Sequence, residues 1–337
     1  MDILHNYSLR AHNTFGIDAR CKHFVECSTV DQAQQAAQLL GSERQQLLII
    51  GGGSNLLLTC DYPGMVLRSA IQGMQAVDDA DDVLVRAGSG MTWDTLVARC
   101  VSNGWHGMEN LSFIPGDVGA SAVQNIGAYG AEAADIIYKV EAVRLSDAKV
   151  VEIDADDCGY GYRDSRFKHE WMNSYLITHV TYRLSRHFRP LLDYGNIRVE
   201  LQQRNIEVPT AQQLRDVIIG IRRNKLPDPA IEGNAGSFFM NPVISRQQYE
   251  QLRAQYADMP HYDIDQDHVK VPAAWLIDQC GWKGRTIGRA GVHSRQALVL
   301  VNKGGATGQD IVDLCQSIRD DVERRFGIVI NPEVNIV

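Results

Sequence analysis

Paired cysteines are missing from this chain: seven are scattered over 337 residues, an odd number with no C-x-x-C spacing. That excludes a disulfide framework and a zinc knuckle, and it suits a reducing cytoplasm. Ten histidines are present, but no H-E-x-x-H occurs and no His/Cys cluster has metal-ligand spacing. Long apolar runs are absent too, since the longest, such as 47-LLII-50, is strand-sized and cannot span a bilayer. The N-terminal stretch MDILHNYSLRAHNTFG lacks the basic start and apolar run of a signal peptide. Basic excess is missing as well: the formal charge is -8 and the pI is near 5.7. A general nucleic-acid binder is therefore not expected, although a local basic pocket for an anion stays open.

What is present is the composition of a globular protein, 45% hydrophobic and 22% charged, without repeats or low-complexity tracts. The length suggests two or three domains. Short β-like runs alternate with helical periods in the first half. A strand-like piece at Phe24-Val25 precedes a helix over 28–41, with a Ser/Thr cap and Gly41 at its C-terminal end. Strands are expected at 46–50, 64–69 and 82–88, and a helix capped by Thr92 runs over 92–104. The segments 138–145 and 149–153 form a hairpin pattern, followed by a strand over 174–184. The second half is more helical, with a Thr210/Gln213 capping box opening 211–223, then helices over 245–257 and 272–281. The longest helix starts at Thr307 and Asp310, with Ile311, Leu314, Ile318 and Val322 on one face, and ends at Gly327. A strand over 328–337 is expected to close the chain. The pattern is α+β, with a soft boundary near 187–210 and a later domain beginning at 226-LPDP-229.

Four segments carry candidate chemistry. In 50-IGGGSNLLL-58, three glycines follow an apolar strand and can turn backbone N–H groups toward an anion; a plain tight turn explains them equally well. Leu56 replaces the last glycine of a Rossmann fingerprint, and no G-K-[ST] follows. In 114-IPGDVGASAVQNIGAYG-130, apolar and small residues between glycines suggest a buried loop that a flat or pyrophosphate-bearing ligand approaches closely. In 159-GYGYRDSRFKHE-170, Arg163 amid aromatics offers a fork for a carboxylate or phosphate, whereas Arg166 and Lys168 read as surface charges. In 233-GNAGSFFMNP-242, Ser237 fails the nucleophile-elbow pattern because Phe239 stands where G-x-S-x-G needs glycine. A serine packed among phenylalanines and glycines suits a proton or hydrogen-bond donor better. Upstream, Lys225 in 222-RRNKLPDP-229 is either a phosphate contact or part of a cationic helix end.

With these segments in view, the chain resembles the UDP-N-acetylenolpyruvoylglucosamine reductase family, flavoenzymes of bacterial cell-wall precursor synthesis. The resemblance is carried by 13-NTFGI-17, 51-GGGSN-55, 114-IPGDVGASAVQNIGAYG-130, 161-GYRDSRFK-168, 225-KLPDP-229, 234-NAGSFFMNP-242, 272-PAAWLIDQCG-281, 292-VHSRQALVLVN-302 and 332-PEV-334. The loop 261-HYDIDQ-266 matches the family's first type. The implied fold is α+β: a bilobed FAD-binding unit of the vanillyl-alcohol-oxidase (PCMH) type over 1–187, with lobes of about 1–71 and 72–187. A connecting segment over 188–226 and a substrate-binding domain over 227–327 complete the scheme, the strand 328–337 returning to the first lobe.

The resemblance further implies an NADPH-dependent reduction through non-covalent FAD. Its substrate is UDP-N-acetylglucosamine enolpyruvate, and a cytoplasmic monomer is expected. Arg163, Ser237 and Glu333 are the implied catalytic residues. FAD contacts are implied for Gly51, Gly52, Gly53, Ser54 and Asn55, and for Ile114, Pro115, Gly116, Gly119, Ala120, Ser121, Gln124, Asn125, Gly127, Ala128 and Tyr129. Tyr194, Lys225, Asn241, Tyr262 and Gln296 are the implied contacts to the UDP-sugar. Two letters depart from the pattern. Met240 stands where the family usually carries a basic residue, which leaves more of the diphosphate to Lys225, and Ala122 replaces a frequent proline. Rival readings fare worse: a covalent-flavin oxidase would want a histidine in 50–58 or 114–130, a silent nucleotide-sugar binder would lack the acid Ser237, and a nucleotidyltransferase would need clustered carboxylates.

Overall fold

The computed structural model describes residues 1–40 and 46–337. The described residues form two compact units that interleave along the chain. The first comprises Met1–Tyr7, Cys21–Gly52 and Tyr62–Asn224, the second Ser8–Arg20, Gly53–Asp61 and Lys225–Val337.

Beside the small antiparallel pair Gly127–Ala128 and Ala131–Glu132, two larger sheets build the first unit among the described residues. One runs in the order Ile3–Ser8, Arg20–Cys27, Tyr62–Ser69, Leu47–Ile50, with the last three strands parallel. Between two of them the helix Val30–Leu39 is capped by Thr29, whose hydroxyl accepts from the Gln32 amide, and its Ala33, Ala36 and Ala37 are buried. The Gly41 end expected for this helix lies outside the described residues. The other sheet is antiparallel, in the order Lys149–Asp154, Ile137–Arg144, Tyr175–Ser185, Asp82–Gly88, Met74–Asp79. Period-2 alternation turns Val83, Val85 and Ala87 inward, where they meet Val140, Ala142, Val180 and Tyr182. The helix Trp93–Ser102 covers this face through Trp93, Leu96, Val97, Cys100 and Val101. Each such aliphatic side chain contributes roughly 1.5–3 kcal/mol by leaving water. Thr92 stands at the N-cap, yet its hydroxyl makes no cap bond, so the expected side-chain cap is absent. The strand Met74–Asp79 and the helix Ile197–Gln203 are additions to the sequence reading.

The second unit holds a four-stranded sheet (Gly233–Asn234, Leu300–Asn302, Ala290–Val292, Thr286–Ile287) and a three-stranded one (Val243–Ser245, His268–Lys270, Tyr262–Asp263). The helix Gly308–Phe326 opens with the Thr307/Asp310 capping box and buries Ile311, Leu314, Ile318 and Val322 as expected. It ends at Gly327, whose φ of 63° is the left-handed conformation that glycine adopts without a Cβ clash. The closing strand is shorter than expected: Asn335–Ile336 pairs parallel to Leu56–Leu57, and Pro332 forms an isolated antiparallel bridge with Phe239. Among the described residues no helix is long and apolar enough to cross a membrane, and no His/Cys/Asp/Glu group could hold a metal ion.

Candidate active site

The parallel strand Leu47–Ile50 delivers Gly51 and Gly52 onto the start of the second glycine-rich segment. A Cβ on Gly52 would stand 3.2 Å from Asp117 Oδ1 and 3.5 Å from the Gly116 Cα, and one on Gly51 would stand 3.5 Å from the Ala120 Cβ. The two glycine motifs, 64 residues apart at Gly52 and Gly116, thus form one cradle, in which a side chain at Gly52 would crowd Asp117. Asp117 lines it, 7% exposed; burial raises its pKa, and Arg68 at 3.4 Å opposes that rise.

The segment read as a buried loop is in part a short helix, Val118–Gln124. Glycine and serine have modest helix propensity, so tertiary packing decides here. The Gly119 amide donates to the Ser89 carbonyl at 2.9 Å, a Cβ on Gly119 would sit 2.9 Å from the Ser89 Cβ, and Val118 and Ala122 are fully buried. Ala122 therefore packs as a helix residue in the core. Ser121 directs its hydroxyl to Tyr182 at 2.8 Å, so its backbone is what a ligand can meet. Asn125 ends the helix with φ 41°, and its amide group reaches Glu132 Oε2 and the Gly161 carbonyl, each at 2.8 Å. Tyr129 is also left-handed, at φ 50°, and Tyr194 packs edge-on against it with ring centroids 6.5 Å apart.

Arg163 occupies a tight turn closed by reciprocal backbone bonds between Gly161 and Asp164, both 3.1 Å. Its φ of 56° is a conformation that usually falls to glycine or asparagine and costs a larger residue about 1–2 kcal/mol. The guanidinium donates to the carbonyls of Asn125 (3.3 Å) and Gly127, and lies 3.7 Å from Glu132. Arg166 is the exposed charge expected, paired with Glu170 at 3.1 Å. Lys168 is not, because its ammonium donates to the Arg163 carbonyl at 2.7 Å.

In the second unit, Asn234 shapes the approach to Ser237. Its side-chain oxygen accepts from the Gly236 amide at 2.9 Å, and Gly236 takes φ 69°. Beyond Ser237, Phe238 donates to Leu298 and accepts from the Glu333 amide at 2.8 Å, and Met240 donates to Asn331. The Phe238 and Phe239 rings are buried and stack edge-to-face 5.2 Å apart. Ser237 is thereby held between two anchored neighbours, partly exposed, and its hydroxyl has no partner among the described residues. Asn55, also in the second unit, donates to the Glu333 carbonyl at 3.2 Å. Gly53, at φ 67°, leaves no space for a side chain against His12.

Of the implied sugar contacts, Asn241 has its side-chain oxygen committed to the Ala273 amide at 2.9 Å, capping the helix Ala273–Gln279. Gln296 is 7% exposed and its side chain accepts from the Leu298 amide at 3.3 Å. Tyr262 and Lys225 are exposed. A cavity of about 900 Å³ in the second unit, lined by Phe15, Asp61, Glu232 and Lys303 among others, contains none of the implied site residues.

Sequence reading missed Arg222. Its Nε donates to the Phe113 carbonyl at 3.0 Å and its side chain hydrogen-bonds Tyr129; burial pulls its pKa below the usual guanidinium range. It stands three positions before Lys225 in a run that looks like a helix end, so no local signal marks it.

A cradle of partly exposed glycine backbone with small residues along the adjoining helix lets a dinucleotide approach the main chain closely, and FAD fits it. The pattern described as "FAD binding domain" matches residues 21–154. This is a flavin-dependent oxidoreductase with a PCMH-type FAD-binding unit and an α+β C-terminal domain. The pattern described as "UDP-N-acetylenolpyruvoylglucosamine reductase, C-terminal domain" matches residues 228–337. UDP-N-acetylenolpyruvoylglucosamine reductase from Bacteroides fragilis is 52% identical, over 98% of this chain and 99% of its own. The Pseudomonas aeruginosa enzyme is 46% identical, over 100% and 99%. A solved UDP-N-acetylenolpyruvylglucosamine reductase from Thermus caldophilus shares the fold, with TM-score 0.68 at 21% identity over 99% of this chain and 98% of that one. The chain belongs to the UDP-N-acetylenolpyruvoylglucosamine reductase family. Its reaction is the NADPH-dependent reduction, through FAD, of UDP-N-acetylglucosamine enolpyruvate to UDP-N-acetylmuramate, a step in peptidoglycan precursor synthesis.

Proposed function

We propose that Arg163, Ser237 and Glu333 carry this reduction. When bound, FAD supplies the hydride chemistry, relaying a hydride from NADPH to C3 of the enolpyruvyl group. An enol ether accepts hydride poorly unless its carboxylate takes up the developing negative charge. Arg163, always protonated, stabilises that charge, and a donor already fixed by Asn125 and Gly127 does so without reorganising. Glu333 assists when it is protonated, since a bare carboxylate there would oppose the charge. The resulting enolate carbon C2 is strongly basic, so a high-pKa hydroxyl suffices as acid if it is well placed. Ser237 is that acid.

The observation that supports this reading is the arrangement of Ser237 itself, a hydroxyl with no partner among the described residues on a backbone pinned by Phe238 to Leu298 and Glu333. Residues 51–55, 114–116, 119–121, 124, 125 and 127–129 are assigned to FAD, and Tyr194, Lys225, Asn241, Tyr262 and Gln296 to the UDP-sugar. The enzyme is read as a cytoplasmic monomer; sedimentation of the loaded protein tests the monomeric state.

The decisive experiment separates the two half-reactions. In Ser237→Ala, reoxidation of reduced flavin by the enolpyruvyl sugar is expected to slow by about three decades or more, with NADPH-driven reduction nearly intact. If both half-reactions run at the parent rate, Ser237 is not the acid.

A further inference from the structure

We propose that Lys168 is a positioning residue for the reduction, acting through Arg163. Arg163 is held at both ends. Its guanidinium lies on the carbonyls of Asn125 and Gly127, and its own carbonyl accepts from Lys168 Nζ at 2.7 Å. Reciprocal Gly161–Asp164 bonds close the left-handed turn, and Lys168 adds a bond from outside them to the carbonyl of the turn's left-handed residue. A charge-assisted bond is the stronger kind, and it acts here on a residue held at a positive φ that a long side chain seldom adopts.

The arm that carries the ammonium is itself anchored. Lys168 ends the short turn Arg166–Lys168, and the preceding Ser165 is 1% exposed with its hydroxyl on the Val123 carbonyl at 2.7 Å. Val123 belongs to the helix that leads directly into Asn125 and Gly127. One short stretch of chain therefore supports the backbone of Arg163, through Ser165 and Lys168, and receives its guanidinium. Without Lys168 the turn relaxes toward ordinary φ and the guanidinium leaves its seat. His169 provides a comparison within the same loop: it bonds Asp164 at 2.7 Å but is exposed and does not touch Arg163's carbonyl.

This rests on the assignment of Arg163 to the substrate carboxylate, so Arg163→Ala is measured alongside. In FAD-loaded protein, Lys168→Met is expected to slow flavin reoxidation at saturating enolpyruvyl sugar by about 10- to 100-fold. NADPH-driven reduction and Tm should stay near the parent values. Lys168→Arg, which keeps a charged donor, should recover most of the loss, and His169→Ala should change neither half-reaction. A Lys168→Met enzyme that reoxidises at the parent rate overturns the proposal. So does one in which both half-reactions fall together with Tm, or one that Lys168→Arg does not rescue. Should Lys168→Met not fold, Lys168→Gln is held to the same outcomes. Fast reoxidation in Arg163→Ala refutes the Arg163 assignment itself; slow reoxidation there, with a normal Lys168→Met, refutes only the role of Lys168.

Discussion

The guanidinium of Arg163 lies on the backbone of Gly127, so closely that a Cβ at position 127 would stand 2.5 Å from Nη1 and 2.9 Å from the Ala131 carbonyl. Gly127 is not among the residues with positive φ. Glycine is needed here for room, because the first neighbour is the end of a long side chain and the second is main chain.

Gly127→Ala should therefore push the guanidinium aside before it disturbs the fold. Flavin reoxidation by the enolpyruvyl sugar is expected to slow by about 10- to 100-fold. Stability should fall by about 1–2 kcal/mol, read from denaturant unfolding. Stopped-flow absorbance gives the rate, and an unchanged value would contradict the seat assigned to Arg163.

A second prediction concerns pH. On the antiparallel sheet, Glu141 accepts from His179 Nδ1 (2.8 Å) when that nitrogen carries its proton, from Arg86 (2.7 Å) and from Thr178 (3.1 Å). The His179 hydrogen bond, then Arg86, holds its carboxyl down at about 2 from an ordinary 4.5, against the effect of burial. A depressed folded pKa means that the stabilisation is fully present above about pH 4.5 and is lost as pH falls toward 2. Glu141→Gln should cost about 1–3 kcal/mol at pH 7, and the gap to the parent should close between about pH 4.5 and 2. Urea unfolding at a series of pH values checks it; a gap that does not change with pH would mean the group is unperturbed.

The thiols supply a third. Burial pushes Cys27, Cys100 and Cys315 up to about 12 and Cys158 to about 11, whereas Cys60 is exposed. With so little thiolate, the four buried groups should alkylate roughly three orders of magnitude more slowly than an ordinary thiol at pH 7.5. Brief iodoacetamide treatment of the folded protein should give an adduct mapping to Cys60. Early modification of Cys100 or Cys315 would show that the core opens.

Local chemistry was the legible part of this sequence. The Thr307/Asp310 and Thr210/Gln213 capping boxes are both present, the latter with bonds of 2.9 and 3.2 Å, because every partner lies within three residues. Thr92 looked the same in sequence, but its hydroxyl makes no cap bond. The helix Val118–Gln124 could not be read from glycine, alanine and serine, since Ser89 and the sheet residue Tyr182 stabilise it from a distance. The closing strand shrank to Asn335–Ile336 because its partner, Leu56–Leu57, is itself only two residues long.

The site divides in the same way. Motifs flagged Arg163 and Ser237, but the pairing of Phe238 with Glu333 spans nearly a hundred residues and leaves no trace in either segment. Lys168 read as a solvated cation because lysines in loops usually are, and only the turn at Arg163 shows where its ammonium goes. Arg222 was passed over for a like reason, as its enclosure by Phe113 and Tyr129 is built from chain far upstream.

The parallel pairing of Leu56–Leu57 with Asn335–Ile336 sets an order on biosynthesis. Thr59 donates from both its amide and its hydroxyl to the Val337 carbonyl, 278 residues later. At 5–20 residues per second, the ribosome needs roughly 14–56 s to make that stretch. Throughout that interval the segment Gly53–Asp61 waits without its strand partner, and the second unit can close only after translation has passed it. A nascent chain stalled before residue 335 should thus expose Leu56 and Leu57 to chaperones or proteases.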